Sequence, residues 1–142
     1  MKKYVAGFIL TLLFSNAFAQ ESAALAKGKK VYVETKSKNE NAIKTKNSLA
    51  EKLDEWSYWQ VVNNPSNADF IINTETTASK GITATSWGGT SYQLIARIVD
   101  KSGEVVWESN AYKSSPNGTN GFNSSEAVVK KLMRDLKKKF QD

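Results

Sequence analysis

"ARIVDKSGEVVWESNAY", residues Ala96 to Tyr112, carries two apolar-polar alternating runs on either side of a short polar turn. Its first part completes a run, Ser91 to Asp100, in which Tyr92, Leu94, Ala96 and Ile98 alternate with Gln93, Ile95, Arg97 and Val99. Side chains two apart share one face of a strand, so this run is a strand with two distinct faces. Asp100 to Gly103 carry turn chemistry, and "EVVWESNAY" returns as a second strand. So short a connection makes the two strands antiparallel neighbours. Trp107 is large enough to fill a seam between a sheet and a helix, and it reads as core rather than as a ligand platform.

Working outward, "DFIINTETTAS", Asp69 to Ser79, alternates Phe70, Ile72, Thr74 and Thr76 against Ile71, Asn73, Glu75 and Thr77, which is another strand. Lys80 to Thr90, with Trp87 between glycines, reads as a long hairpin loop or a bulged extension. Upstream, "KKVYVET" is a short strand beginning near Lys30, and Tyr58 to Asn64 is a second one, stopped by Pro65. Between them Ile43, Leu49 or Ala50, Leu53 and Trp56 recur at helical spacing, with Asn39 or Asn41 as the cap. Downstream, Lys113 to Ser125 is a polar loop. Asn123 and Glu126 then form a capping box before a helix striped by Val128, Val129, Leu132, Met133, Leu136 and Phe140. The expected fold is α+β: a mostly antiparallel sheet of about five strands with two helices on one face, in the order β-α-β-β-β-β-α. The helix between the first two strands allows them to be parallel.

The amino terminus, "MKKYVAGFILTLLFSNAFAQES", has a basic start at Lys2 and Lys3, an apolar run from Val5 to Phe14, and small residues at Ala17 to Ala19. This is the pattern of a secretory signal, residues 1–19. The apolar run is shorter than the ~20 residues a spanning helix needs, so no membrane span is expected after cleavage. Residues 20–29 read as a flexible lead-in and 30–142 as one α+β domain. The expected location is outside the cytoplasm, periplasmic or secreted. The chain has no cysteine, which leaves the fold without disulfide staples and without the lipid anchor of bacterial lipoproteins.

The net charge is +6, and much of the excess lies in "KKLMRDLKKKF". That pattern reads as the solvated face of an amphipathic helix, and Lys137, Lys138 and Lys139 are candidates for contact with nucleic acid, anionic lipid or an acidic partner. Export argues against nucleic acid as the partner.

With no histidine and no cysteine, Ser-His-Asp and Cys-His designs and the usual zinc sites are excluded. The carboxylate pairs Asp69 with Glu75 and Glu104 with Glu108 stand about 20 and 13 Å apart at ~3.3 Å per strand residue, too far for a glycosidase couple. "SWGG", Ser86 to Gly89, lacks the spacing and lysine of a phosphate loop. A Ser-Lys dyad stays open, with nothing in the sequence to single one out, and the chain is read as no enzyme, with no catalytic residues, cofactor or metal. Asn117 and Asn123 match a glycosylation sequon, read as chance in a bacterial-looking chain.

The early "VYVE" strand, the helix ending at Trp56, "QVV", "ADFII", "RIVD" and "GEVVW" follow one another in an order that resembles the periplasmic α/β domain of the curli-secretion lipoprotein family and the similar amino-terminal domain of the Tol translocation protein. The resemblance spans about Lys30 to Phe140. It implies an envelope accessory or adaptor acting through protein contacts, with another envelope protein or a second copy as partner. The anchoring cysteine of the lipoprotein members is missing. Trp87, Gly88 and Gly89, with Tyr92, are the candidate contact residues, because a tryptophan between glycines on an exposed loop suits a partner pocket. The alternative is a small-molecule or glycan binding module using an aromatic face that includes Trp56, Tyr58, Trp59, Tyr92 and Tyr112.

Overall fold

The computed structural model describes residues 23, 25–80, 90–114 and 124–141. These form β1 (Lys30–Thr35), α1 (Glu40–Trp56), β2 (Gln60–Val61), β3 (Phe70–Lys80), β4 (Thr90–Val99), β5 (Val105–Glu108), β6 (Tyr112–Ser114) and α2 (Ser124–Phe140), with a 3-10 turn at Pro65–Asn67. The fold is α+β. One sheet runs in the order β2-β1-β3-β4-β5, with β6 on the same side of β4 as β5. β1 is parallel to β2 and β3, as the intervening α1 crossover requires, and every other pairing is antiparallel.

The sheet alternates as its sequence does. Val31 and Val33, Phe70 and Ile72, and Leu94, Ala96 and Ile98 are buried on one face. Leu49 and Leu53 of α1 and Val128, Val129, Leu132 and Leu136 of α2 join them in one core. Two tyrosines on this face bond the sheet to the helices. The Tyr92 hydroxyl donates to Asn41 Oδ1 of α1 at 3.1 Å, and the Tyr112 hydroxyl donates to Asp135 Oδ2 of α2 at 2.7 Å.

α1 begins where the Asn39 side chain accepts the Asn41 N–H at 2.8 Å and ends at Ser57, left-handed at φ 56°. The Ser57 N–H closes the last turn by donating to Leu53 O and Asp54 O. Its inward stripe is Ala42, Thr45, Leu49 and Leu53, so the expectation for Ile43 is corrected: it is 41% exposed. The helical repeat counted back from Leu53 and Leu49 lands on Thr45 and Ala42, one position before Ile43, and a bonded threonine hydroxyl occupies the core instead (Thr45 Oγ1 to Asn41 O, 2.8 Å).

Three other expectations are revised. The strand from Tyr58 to Asn64 shrinks to Gln60–Val61, because Trp59 turns inward, 2% exposed, with its Nε1 donating to Leu25 O at 2.8 Å. Order is expected from Lys30, yet Leu25 lies in the core and the Gly28 N–H donates to Tyr58 O at 2.7 Å. The single return strand "EVVWESNAY" is two strands, β5 and β6. They part at buried Ser109, whose N–H donates to Ala96 O while its hydroxyl, rather than its carbonyl, accepts the Ala96 N–H at 2.9 Å. The chain kinks there, and the sheet ends on two short strands in place of one long one.

The turn before β5 follows the sequence reading. Asp100 Oδ1 accepts the N–H groups of Ser102 and Glu104 and the Ser102 hydroxyl, and Gly103 supplies the left-handed residue at φ 86°. Trp107 is half-buried against the core, edge-on to Phe140 of α2 with ring centroids 6.4 Å apart. Asn123 of the expected capping box and residues 81–89 of the connection between β3 and β4 fall outside the described residues, while Lys80 ends β3 and Thr90 begins β4.

Candidate functional site

β1 and β3 differ in length, and the difference creates an edge. β1 pairs with Phe70 to Thr74 only, whereas β4 pairs with β3 as far as Lys80. From Glu75 onward, β3 therefore has β4 on one side and, among the described residues, no strand on the other. Ala96 exchanges its bonds with Ser109, so the even-numbered residues of β4 face β5 and β6. The odd-numbered ones face β3, which makes Glu75 with Ile95, Thr77 with Gln93 and Ser79 with Ser91 the bonded pairs. Thr76, Ala78 and Lys80 consequently turn their N–H and C=O groups away from β4, toward the side that β1 has vacated.

The strands at the two ends of the sheet are short, and β2 covers β1 only at Lys30 and Val31. β2 has two residues, β5 has four and β6 three, with the Ser109 kink between them. Short and kinked edges resist pairing with other chains. The β3 margin has no proline and no lysine before Lys80, and Thr77, Ala78 and Ser79 are exposed.

The sheet face opposite the helices is polar at its centre. The Arg97 guanidinium on β4 donates to Glu75 on β3 at 3.1 Å and to Glu108 on β5, an ion ladder across three strands. The three groups are between 36% and 63% exposed, so the ladder keeps this face solvated more than it stabilises the fold. Beside it lies a hollow of about 590 Å³ lined by Thr35, Lys36, Asn73, Glu75, Arg97 and Val105. Asn73 Oδ1 is buried there without a partner.

Three of the four carboxylates weighed for acid-base chemistry have structural partners. Asp69 Oδ2 accepts the Lys30 N–H at 2.8 Å and clamps the start of β1 to that of β3. That bond, aided by Lys101, holds its carboxyl below the usual range. Glu75 and Glu108 bond Arg97. Among the described residues, no three acidic side chains gather as a metal site would need.

Of the contact residues expected from sequence, Trp87, Gly88 and Gly89 lie outside the described residues. Tyr92 sits on the helix-facing side of β4, half-buried and bonded to Asn41. Lys137, Lys138 and Lys139 are exposed in the last turn of α2, where their charge complements the helix dipole. The structure does not bring these lysines and Tyr92 together in one patch. The expected aromatic face divides likewise. Trp56, Tyr58, Trp59, Phe70 and Phe140 cluster at one end of the core, with Trp56 stacked on Tyr58 at 4.8 Å, whereas Tyr92 and Tyr112 bond to the helices.

No family model matches the sequence, and no curated protein matches it. Its fold is shared with solved bacterial proteins. A Xanthomonas campestris protein described as DUF330 superposes with a TM-score of 0.57 at 8% identity, over 79% of this chain and 82% of that one. The PelC dodecamer of Paraburkholderia phytofirmans superposes with a TM-score of 0.52 at 17% identity, over 75% and 83%. At such identities the likeness is one of fold. No described helix is long and apolar enough to cross a membrane.

Proposed function

We propose that this chain is an exported, non-catalytic accessory protein of the bacterial envelope that acts by protein contact, docking an extended partner segment on the free margin of β3. The observation that carries the reading is the row of outward-facing backbone groups at Thr76, Ala78 and Lys80, the longest such row among the described residues of the sheet. A strand laid there gains main-chain bonds along the row, and alternate side chains supply selectivity. The export pattern at residues 1–19 supports the envelope location. The hairpin motifs support kinship with the curli-secretion and Tol domains. The PelC neighbour, solved as a dodecamer, supports self-association as one form of contact.

The test is a crosslinking pulldown from the native envelope with wild type, Ala78→Pro and Trp87→Ala. The Ala78 N–H points to the free margin, so proline there removes a docking donor without breaking the β3 to β4 ladder. A discrete envelope protein captured by wild type and lost with Ala78→Pro, at unchanged melting temperature, is the expected result. Capture that Ala78→Pro leaves intact refutes docking at this margin, and no specific capture in any version refutes the contact role.

A further inference from the structure

We infer that the occupant of this margin is the same margin of a second copy, paired antiparallel about a two-fold axis through Ala78. The inference rests on the edge-docking reading above and names its partner. A two-fold axis normal to the sheet places each residue opposite one of the same parity, and the groups without a strand beside them among the described residues belong to Thr76, Ala78 and Lys80. Centring on Ala78 sets Thr76 opposite Lys80 of the other copy, Ala78 opposite Ala78, and Lys80 opposite Thr76. All three are bonded pairs, so this register engages every free N–H and C=O of Thr76, Ala78 and Lys80 in both copies.

Neighbouring registers do worse. Centring on Thr77 drives Lys80 of one copy against Thr74 of the other, where the end of β1 already sits. Centring on Glu75 places two carboxylates directly opposite each other, which is destabilising. In the Ala78 register Thr77 faces Ser79, and no charged pair of one sign is opposed within the row. Both helix layers then lie on the same side of one continuous sheet. The paired span is short and buries less than the ~1,000 Å² of a durable interface, so the dimer is a transient, concentration-dependent one.

The chain has no cysteine, so single-cysteine variants report the register directly. The full chain, exported and recovered from the periplasmic fraction, is oxidised mildly as Ala78→Cys, Thr77→Cys and Ser79→Cys, alone and as an equal mixture of the last two. Opposed residues of a bonded pair have Cα atoms about 5.5 Å apart and those of a non-bonded pair about 4.5 Å, both within disulfide reach. Ala78→Cys is expected to crosslink to itself. Thr77→Cys and Ser79→Cys are expected to crosslink with each other and not alone, since each lies more than ~7 Å from its own copy.

Sedimentation of the wild type and Ala78→Pro over a concentration series gives the second readout. The wild type is expected to shift toward dimer and the proline variant to remain monomeric. Self-crosslinking of Thr77→Cys, absence of the Ala78→Cys crosslink, or a dimer that survives Ala78→Pro overturns the inference. A protein that stays monomeric while the envelope pulldown still loses its partner with Ala78→Pro overturns self-pairing and leaves edge docking in place. A wild type that stays monomeric at every concentration and captures no partner removes both.

Discussion

Single residues hold this fold through a few directed bonds inside an otherwise apolar core. Trp59 is the clearest case, buried among Phe70, Phe140 and Trp56 with its indole N–H on Leu25 O. Trp59→Ala is expected to cost about 3–5 kcal/mol in chemical denaturation, the range for emptying a large aromatic site. Ser109→Ala removes the hydroxyl that accepts the buried Ala96 N–H and is expected to cost about 1–3 kcal/mol, since that donor then lacks a partner. Tyr112→Phe loses one bond to a partly exposed carboxylate, worth about 1 kcal/mol at neutral pH, and its pH dependence is more telling. Burial and the neighbouring Asp135 carboxylate raise the Tyr112 hydroxyl above its ordinary value of 10.0, while the same bond holds Asp135 below the ordinary carboxylate value. The Asp135 contribution is present at neutral pH and is lost as pH falls through its folded value. The Tyr112 contribution is present below about 10 and is lost as pH rises beyond it. The melting-temperature advantage of wild type over Tyr112→Phe should therefore shrink at acid pH, and at alkaline pH it should shrink and then reverse, because burial, the larger cause of the Tyr112 shift, penalises an ionising hydroxyl that phenylalanine lacks.

At the scale of elements, the lengths of β1 and β3 matter more than their composition. Six residues of β1 face eleven of β3, and the surplus is the free margin. Ala78→Pro should leave the thermal melt within about 1 kcal/mol of wild type, because its N–H has no partner in β4. Thr77→Pro, whose N–H bonds Gln93, should destabilise strongly. The pair separates a free margin from a covered one by calorimetry alone. Much of this was legible in sequence. The alternation of Tyr92 to Val99, the Asp100 to Gly103 turn and the stripe of α2 follow from period and turn chemistry. The relative lengths of the strands were visible too, but their register was not, because pairing is set by the crossover through α1 and by the Asp69 clamp. Ile43 misled because the helix admits a self-bonded threonine to its core. The β5 to β6 break was hidden because a serine hydroxyl replaces a carbonyl in the ladder, and no pattern of apolar residues records that. Leu25 was set aside as lead-in because its partner, the Trp59 indole, is 34 residues away.

For the whole molecule, two helices cover one face of the sheet and an ion ladder keeps the other face wet, which leaves a margin better suited to pairing than either face. This is why contact is assigned to a margin and not to a face. It also explains why the candidate residues read from sequence do not converge: Tyr92 bonds α1, and the lysines at the end of α2 lie apart from the free row. The central claim is that Thr76 and Ala78 offer their amides outward while Thr77 does not. Residue-resolved amide hydrogen exchange, recorded on the dilute and the concentrated protein, tests it most directly. Slow exchange is expected at Glu75, Thr77 and Ser79 throughout, with fast exchange at Thr76 and Ala78 in dilute solution that slows on concentration. Thr76 and Ala78 as protected as Thr77 in the dilute monomer would contradict it, since the margin would then be covered within the chain itself.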